Sequence, residues 1–178
     1  MLEIQLPLPV KFICGFIYLK EEIYLKSRAI LEKKFGKIDF ESQRIDFSFT
    51  DYYCPEMGKP LYRRFVSFKR LKDPRYFPDI KLFCIKIEKK YSLNQKRKVN
   101  IDPGYINDAK LVLTTTKDFS HRIYLAKGIY AEVTLYFKDK KFSDFLTTFP
   151  DYRTKEYKEI FYKIRDIYHR NIKNEPIK

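Results

Sequence analysis

Two hydrophobic periods divide this chain into elements: alternation every second residue over some stretches, recurrence every three or four over others. Residues 1–9, with Pro7 and Pro9, read as an extended lead-in. Val10–Tyr18, VKFICGFIY, is a continuous apolar run of strand length. Such a run predicts a central strand buried on both faces. Gly15 in its middle signals a bulge or a close approach by another backbone. Over Glu21–Phe35, Ile23, Ile30, Leu31 and Phe35 fall on one helical face, and Gly36 supplies a C-terminal cap. Arg44–Thr50 alternates strictly, with Ile45, Phe47 and Phe49 on one side. The Pro- and Gly-containing segment 51–60 reads as a loop, and Tyr62–Leu71 as the next strand.

Asp73-Pro74 is a helix start, and Ile80, Phe83, Cys84, Ile87 and Tyr91 continue it at helical spacing. A strand follows at Val99–Asp102, ended by the turn former Pro103-Gly104. The order β-α-β-β-α-β is that of a ferredoxin-like half, with two helices over one face of an antiparallel sheet. Beyond it, Ile106, Ala109, Val112 and Leu113 predict a helix to about Thr116. His121–Leu125 and Ile129–Phe137 read as a hairpin, with Gly128 providing the positive φ of its turn. Alternation puts Tyr130, Glu132, Thr134 and Tyr136 on one face of the second strand, and Ala131, Val133, Leu135 and Phe137 on the other. A loop over 138–150 leads to a last helix capped by Thr154, with Tyr157, Ile160, Phe161, Ile164, Ile167 and Tyr168 as its apolar stripe. The tail Lys173–Lys178 reads as frayed. The expected fold is α+β in one domain, 1–178. A ferredoxin-like half (10–103) is extended on the same sheet by helix, hairpin and C-terminal helix (104–172).

Composition adds sign and compartment. Aromatic residues make up 17%, as 16 Phe and 15 Tyr without Trp, which suits strands and a packed core. Lys and Arg number 37 against 23 acidic residues, a net charge of +14. That balance attracts polyanions, and it is also the surface of heat-adapted proteins. Cys14, Cys54 and Cys84 are odd in number and widely spaced, so neither a disulfide framework nor a zinc knuckle is indicated. No basic-then-apolar leader and no apolar run of membrane-spanning length is present, and a cytoplasmic protein without a membrane partner is expected.

The common catalytic motifs are absent: there is no GxxxxGK[ST], GxGxxG, GxSxG or HExxH. Of the two histidines, His169 reads as a helix C-terminal dipole contact, and His121 as a candidate acid or base opening a strand. Arg122 beside it is expected on the opposite strand face. Asp102, at a strand end, and Glu132, on the polar strand face, are candidate catalytic carboxylates and candidate magnesium ligands. Lys117, Arg122, Arg153, Tyr130, Thr134 and Arg64 are candidate phosphate or ligand contacts. Arg153 precedes a helix N-terminus, and Arg63-Arg64 places one cation on each face of its strand.

The runs VNIDPGY and LVLTTTKDFSHRIYLAKGIYAEVTLYF carry a resemblance, together with FTDYY, EMG and RRFVSF upstream and FPDYR downstream. Over about residues 10–170 the chain resembles an uncharacterised prokaryotic family, a domain of unknown function whose members often bear the label GTP-binding protein. The resemblance implies no activity, cofactor or residue role, and the phosphate-binding loop that the label would need is missing.

The residues point first to a protein that binds a phosphate-bearing ligand, either nucleotide or RNA. Its cleft is expected between the 51–58 loop, Asp102, the His121–Glu132 hairpin and the Asp151–Arg153 turn. The alternative is a magnesium-assisted phosphoester or nucleotide-processing enzyme, with His121, Asp102 and Glu132 as its catalytic set. A third is a non-catalytic interaction protein.

Overall fold

A computed structural model describes residues 3–173; residues 174–178, expected to fray, lie outside them. The fold is α+β, built on one antiparallel sheet. Its first strand, β1 (Lys11–Tyr18), is buried along its whole length, as a continuous apolar run requires. Helix α1 (Glu21–Phe35) ends at Gly36, whose φ of 98° and N–H to Glu32 carbonyl bond close the helix. Where one strand was expected there are two short ones, β2 (Ile38–Glu41) and β3 (Ile45–Phe47), and both pair with β4 (Leu61–Phe68). The one-turn helix α2 (Cys54–Met57) lies between β3 and β4, and α3 (Phe77–Lys90) precedes β5 (Val99–Ile106). The strand order over this half is β2-β4-β1-β5.

The second half departs from the expectation, most of all over residues 106–116. Residues 106–116 are not a helix: β5 runs on through Pro103-Gly104 to Ile106, and β6 (Lys110–Thr115) returns beside it. Helical spacing of Ile106, Ala109, Val112 and Leu113 coincides with strand alternation of Leu111 and Leu113. The β-branched Val112 and Thr114 to Thr116 favour the strand. The sheet then continues through β8 (Ile129–Lys138) to β7 (Ile123–Ala126), and β9 (Lys141–Asp144) pairs with the end of β8 inside the expected 138–150 loop. Helix α4 (Lys155–Lys173) begins as expected, with the Thr154 hydroxyl accepting the Tyr157 N–H.

Two cores lie on opposite sheet faces. Tyr24 and Leu31 of α1 and Ile80, Cys84 and Ile87 of α3 pack on Phe12, Cys14, Phe16, Val66, Phe68 and Ile101. On the other face Tyr157, Ile160, Phe161 and Ile164 of α4 pack on Ile13, Phe65, Ile106, Leu111, Leu113 and Leu135. β5 and β6 pair only over Gly104–Ile106, and the ladder stops where Pro103 has no N–H to offer. Beyond that point side chains replace the missing strand. Glu88 accepts the Ile101 N–H at 2.6 Å, Lys81 donates to the Ile101 carbonyl at 2.9 Å, and Thr114 donates to the Pro103 carbonyl at 2.8 Å. Buried backbone groups at the fork are thus paired, as burial demands.

Candidate functional site

The largest charged constellation lies at this fork, on the α4 face. Arg63 and Phe65 share a face of β4, and Arg64 points to the other. The Arg63 guanidinium is 3% exposed. It meets Asp151 at 2.7 Å and Asp102 at 3.7 Å. The rings of Phe47, Phe65, Tyr152 and Tyr157 surround it at 5.1 to 5.8 Å. Burial opposes its charge, but the surrounding tyrosines and the two aspartates outweigh that and keep it protonated. Burial pushes the Tyr157 hydroxyl up to about 12 and Tyr152 well above its ordinary value. Gly15 is what admits the guanidinium: a Cβ there would stand 3.0 Å from Nη1 and 3.1 Å from the Phe65 ring. The close approach expected at Gly15 is therefore a side chain, with no bulge in β1.

Hydrogen bonds extend the constellation to the 51–58 loop. Asn100 donates to Asp102 at 2.8 Å, and Arg97 donates to Asn100 at 2.8 Å. Arg97 also grips Glu56 through Nε at 2.7 Å, Nη2 at 2.8 Å and its backbone N–H at 2.9 Å. Asp102 does not end its strand as expected. It sits inside β5, opposite Gly15, with Lys81 at 3.6 Å from its other oxygen.

His121 and Glu132 do come together. His121 Nε2 is 3.3 Å from Glu132 Oε2, and Arg122 Nε donates to that oxygen at 2.7 Å. The expectation that Arg122 points away from His121 fails because the strand starts only at Ile123; residues 117–122 are irregular, with a turn closed by the Arg122 N–H on the Phe119 carbonyl. Lys117 lies on the Tyr52 ring and donates to its hydroxyl at 2.8 Å. Thr134 donates to Glu132 Oε1 at 3.4 Å. It is the extra residue of a bulge, since Leu111 faces Leu135 while Val112 faces Val133. The bulge turns Leu135 into the α4 core and leaves Val133 exposed, against the expected single apolar face.

Asp102 and Glu132 share no partner. Gly104, Leu113 and Glu132 stand in register across three strands, so Glu132 is roughly 10 Å to the side of β5, and Asp102 lies two residues further along it. Each carboxylate is already neutralised by its own cations, so the pair as it stands does not fit magnesium. Among the described residues no group of three or more His, Cys, Asp or Glu gathers as metal ligands would. Other expected ligand contacts are also committed. Arg153 donates to the carbonyls of Thr148 and Leu146, and Arg64 pairs with Glu21 and Glu41 on the α1 face. Tyr130 contacts Tyr124. His169 faces Asp108 at 3.3 Å.

The pairing of Glu56 has a measurable consequence. Its bonds from Arg97 hold the carboxyl below its ordinary value of 4.5. The stability it contributes is complete above that value and is lost as pH falls through the depressed one. Glu56→Gln is therefore expected to cost about 1 kcal/mol at neutral pH and to flatten the acid limb of stability against pH. Urea unfolding between neutral pH and the carboxylate range reads both, and an unchanged acid limb would show Glu56 to be unlinked.

A second feature was missed from the sequence. A groove of about 800 Å³ opens between the C-terminal end of α1, the 70–73 segment and α3, on the sheet face away from α4. Lys34, Arg70, Lys72, Lys86 and Lys89 line it around Phe35, Tyr76 and Phe83. Its two carboxylates are tied to cations outside the lining, Asp73 to Arg75 at 2.7 Å and Asp79 to Lys127 at 2.6 Å. Among the described residues the five lining cations make no ion pair. Burial, and then Arg70 nearby, lower the Lys72 ammonium below its ordinary value. Only spacing over three separate elements could have revealed this groove, because no single stretch of sequence holds more than two of its cations.

Fold and site together define an α+β protein on a forked antiparallel sheet, with a buried ion network on one face and a basic groove on the other. The chain belongs to the family described as a domain of unknown function, DUF4416, whose model matches residues 8–168. No curated protein and no solved structure matches it.

Proposed function

We propose that this protein binds a phosphate-bearing ligand, nucleotide or RNA, in the groove between α1 and α3. One observation carries the reading: five cations without anionic partners among the described residues converge there over an aromatic floor. The cleft first expected near Asp102 and His121 supports it less, because its arginines are spent on carboxylates and carbonyls and Lys117 lies on Tyr52. A volume near 800 Å³ accommodates a nucleotide-sized ligand. Phe35, Tyr76 and Phe83 offer rings for a base, and the lysines and Arg70 suit phosphate oxygens. Lys72, pressed by burial and by Arg70, gains most from a bound anion. We further infer that residues 10–103 are ferredoxin-like, which the order β2-β4-β1-β5 and the placing of α1 and α3 on one face support.

Titration with mononucleotides and with single-stranded RNA tests the reading by calorimetry. Lys72→Met is expected to weaken binding about tenfold, roughly 1.4 kcal/mol, the scale of one charge-assisted hydrogen bond. Affinity is expected to fall with added salt and with rising pH as Lys72 loses its proton. Binding that is indifferent to Lys72 and to salt, or no binding of either probe, would overturn it.

A further inference from the structure

We propose that residues 3–9 are an arm that pairs with the free edge of β7 in a second copy of this chain. Ile4, Leu6 and Leu8 are 95%, 84% and 63% exposed. They alternate in sequence with Gln5, Pro7 and Pro9, so in an extended backbone their side chains would share one face. Backbone groups alternate too. Those of residues 4, 6 and 8 point to one edge, complete with N–H and C=O. At the other edge Pro7 and Pro9 have no N–H. The arm is therefore a strand able to pair on one edge only, which is how proline is tolerated in sheets.

β7 is the matching recipient. It ends the strand order and, among the described residues, pairs with β8 alone. Ile123, Tyr124 and Leu125 are 70%, 58% and 40% exposed, and no charge interrupts Ile123–Ala126. An apolar, uncharged edge strand invites pairing by another chain. Val133 and Tyr136 of β8 extend the exposed apolar surface beside it. The opposite sheet edge is unlike this one: β2 carries Asp39 and Glu41, held by Lys11, Arg28 and Arg64.

The arm does not reach β7 of its own chain. Its root is anchored: the Pro9 carbonyl accepts the Tyr168 hydroxyl, and Val10 bridges to Lys72. From β1 to β7 the order β1-β5-β6-β8-β7 takes four steps, roughly 19 Å. Even fully extended, Leu6 stands within about 10 Å of Pro9 and Ile4 within about 17 Å. Pairing of residues 4–8 with β7 therefore takes place between copies. Each copy carries one arm and one edge, so a reciprocal exchange closes into a two-fold dimer.

Light scattering on the full chain after size-exclusion chromatography is expected to show a dimer. Ile4→Asp with Leu6→Asp is expected to give a monomer with an unchanged melting temperature, and Ile123→Lys to do the same from the recipient side. In a Cys54→Ser background, a Leu6→Cys chain mixed with a differently tagged Tyr124→Cys chain is expected to form a disulfide between the two tags. A native chain that is monomeric at every concentration, or a dimer that survives the arm and the edge variants, overturns the proposal.

Discussion

Arg63→Met is expected to lower folding stability by about 3–5 kcal/mol, the largest effect of any single charge change in this chain. The guanidinium is 3% exposed and Asp151 is 5% exposed, so neither can turn to water when the other is removed. Methionine fills part of the aromatic box formed by Phe47, Phe65, Tyr152 and Tyr157, but it leaves the Asp151 carboxylate at 2.7 Å without its cation and Asp102 without one of two. Asp151→Asn in the Arg63→Met chain removes the stranded charge and should recover a substantial part of the loss, because buried ion pairs cost more to break than to replace. Chemical denaturation of Arg63→Met, of Asp151→Asn alone and of the double variant gives the coupling directly. A loss below about 1 kcal/mol for Arg63→Met would mean that the pair is solvated and contributes as surface pairs do. Gly15→Ala acts on the same group from β1. Its methyl would meet Nη1 at 3.0 Å and Phe65 at 3.1 Å, so a smaller loss in the same direction is expected.

Gly104→Ala is expected to cost about 3 kcal/mol or more, at the upper end of overpacking, and to loosen the outer strands before the inner ones. A Cβ at Gly104 would stand 2.2 Å from the Val112 carbonyl oxygen and 2.9 Å from Leu113 Cδ2. Backbone must therefore move, and it is the backbone of β6 at one of only three paired positions joining the two halves of the sheet. Hydrogen exchange separates this mechanism from general destabilisation. Amides of β6, β8 and β7 should lose protection more than those of β1 and β4. A uniform loss of protection, or a melting temperature close to that of the native chain, would show that the β5–β6 junction is not the weak seam.

The two variants mark where sequence reasoning stopped. Pro103-Gly104 read as the end of a strand, since proline ends ladders and glycine turns chains. Within the structure the same two residues serve a continuing strand. Pro103 lies where the ladder is open and no N–H is required, and Gly104 lies where the approach of β6 leaves no room for a Cβ. Residues 106–116 fitted a helix by spacing alone. The choice for strand lay in tertiary pairing on both sides of β6, which a local period does not contain. His121 and Glu132 were legible as partners because a hairpin with its turn at Gly128 brings their segments side by side. The commitment of Arg122 to the same carboxylate was not, because it depends on the turn that Phe119 and Arg122 close ahead of β7.

By itself the sequence determined the α+β class, the buried first strand, three of the four helices, the Gly128 hairpin and the opposite faces of Arg63 and Arg64. These follow from periodicity, caps and turn chemistry over neighbouring residues. Only the tertiary structure decided which cations remain free. Arg64, Arg122 and Arg153 are spent on carboxylates or carbonyls brought from elsewhere in the chain. Among the described residues Lys34, Arg70, Lys72, Lys86 and Lys89 are left without anions, around a groove that three elements enclose. Charge is written residue by residue, but its neutralisation is a property of distances between segments, and those distances exist only once the sheet has formed.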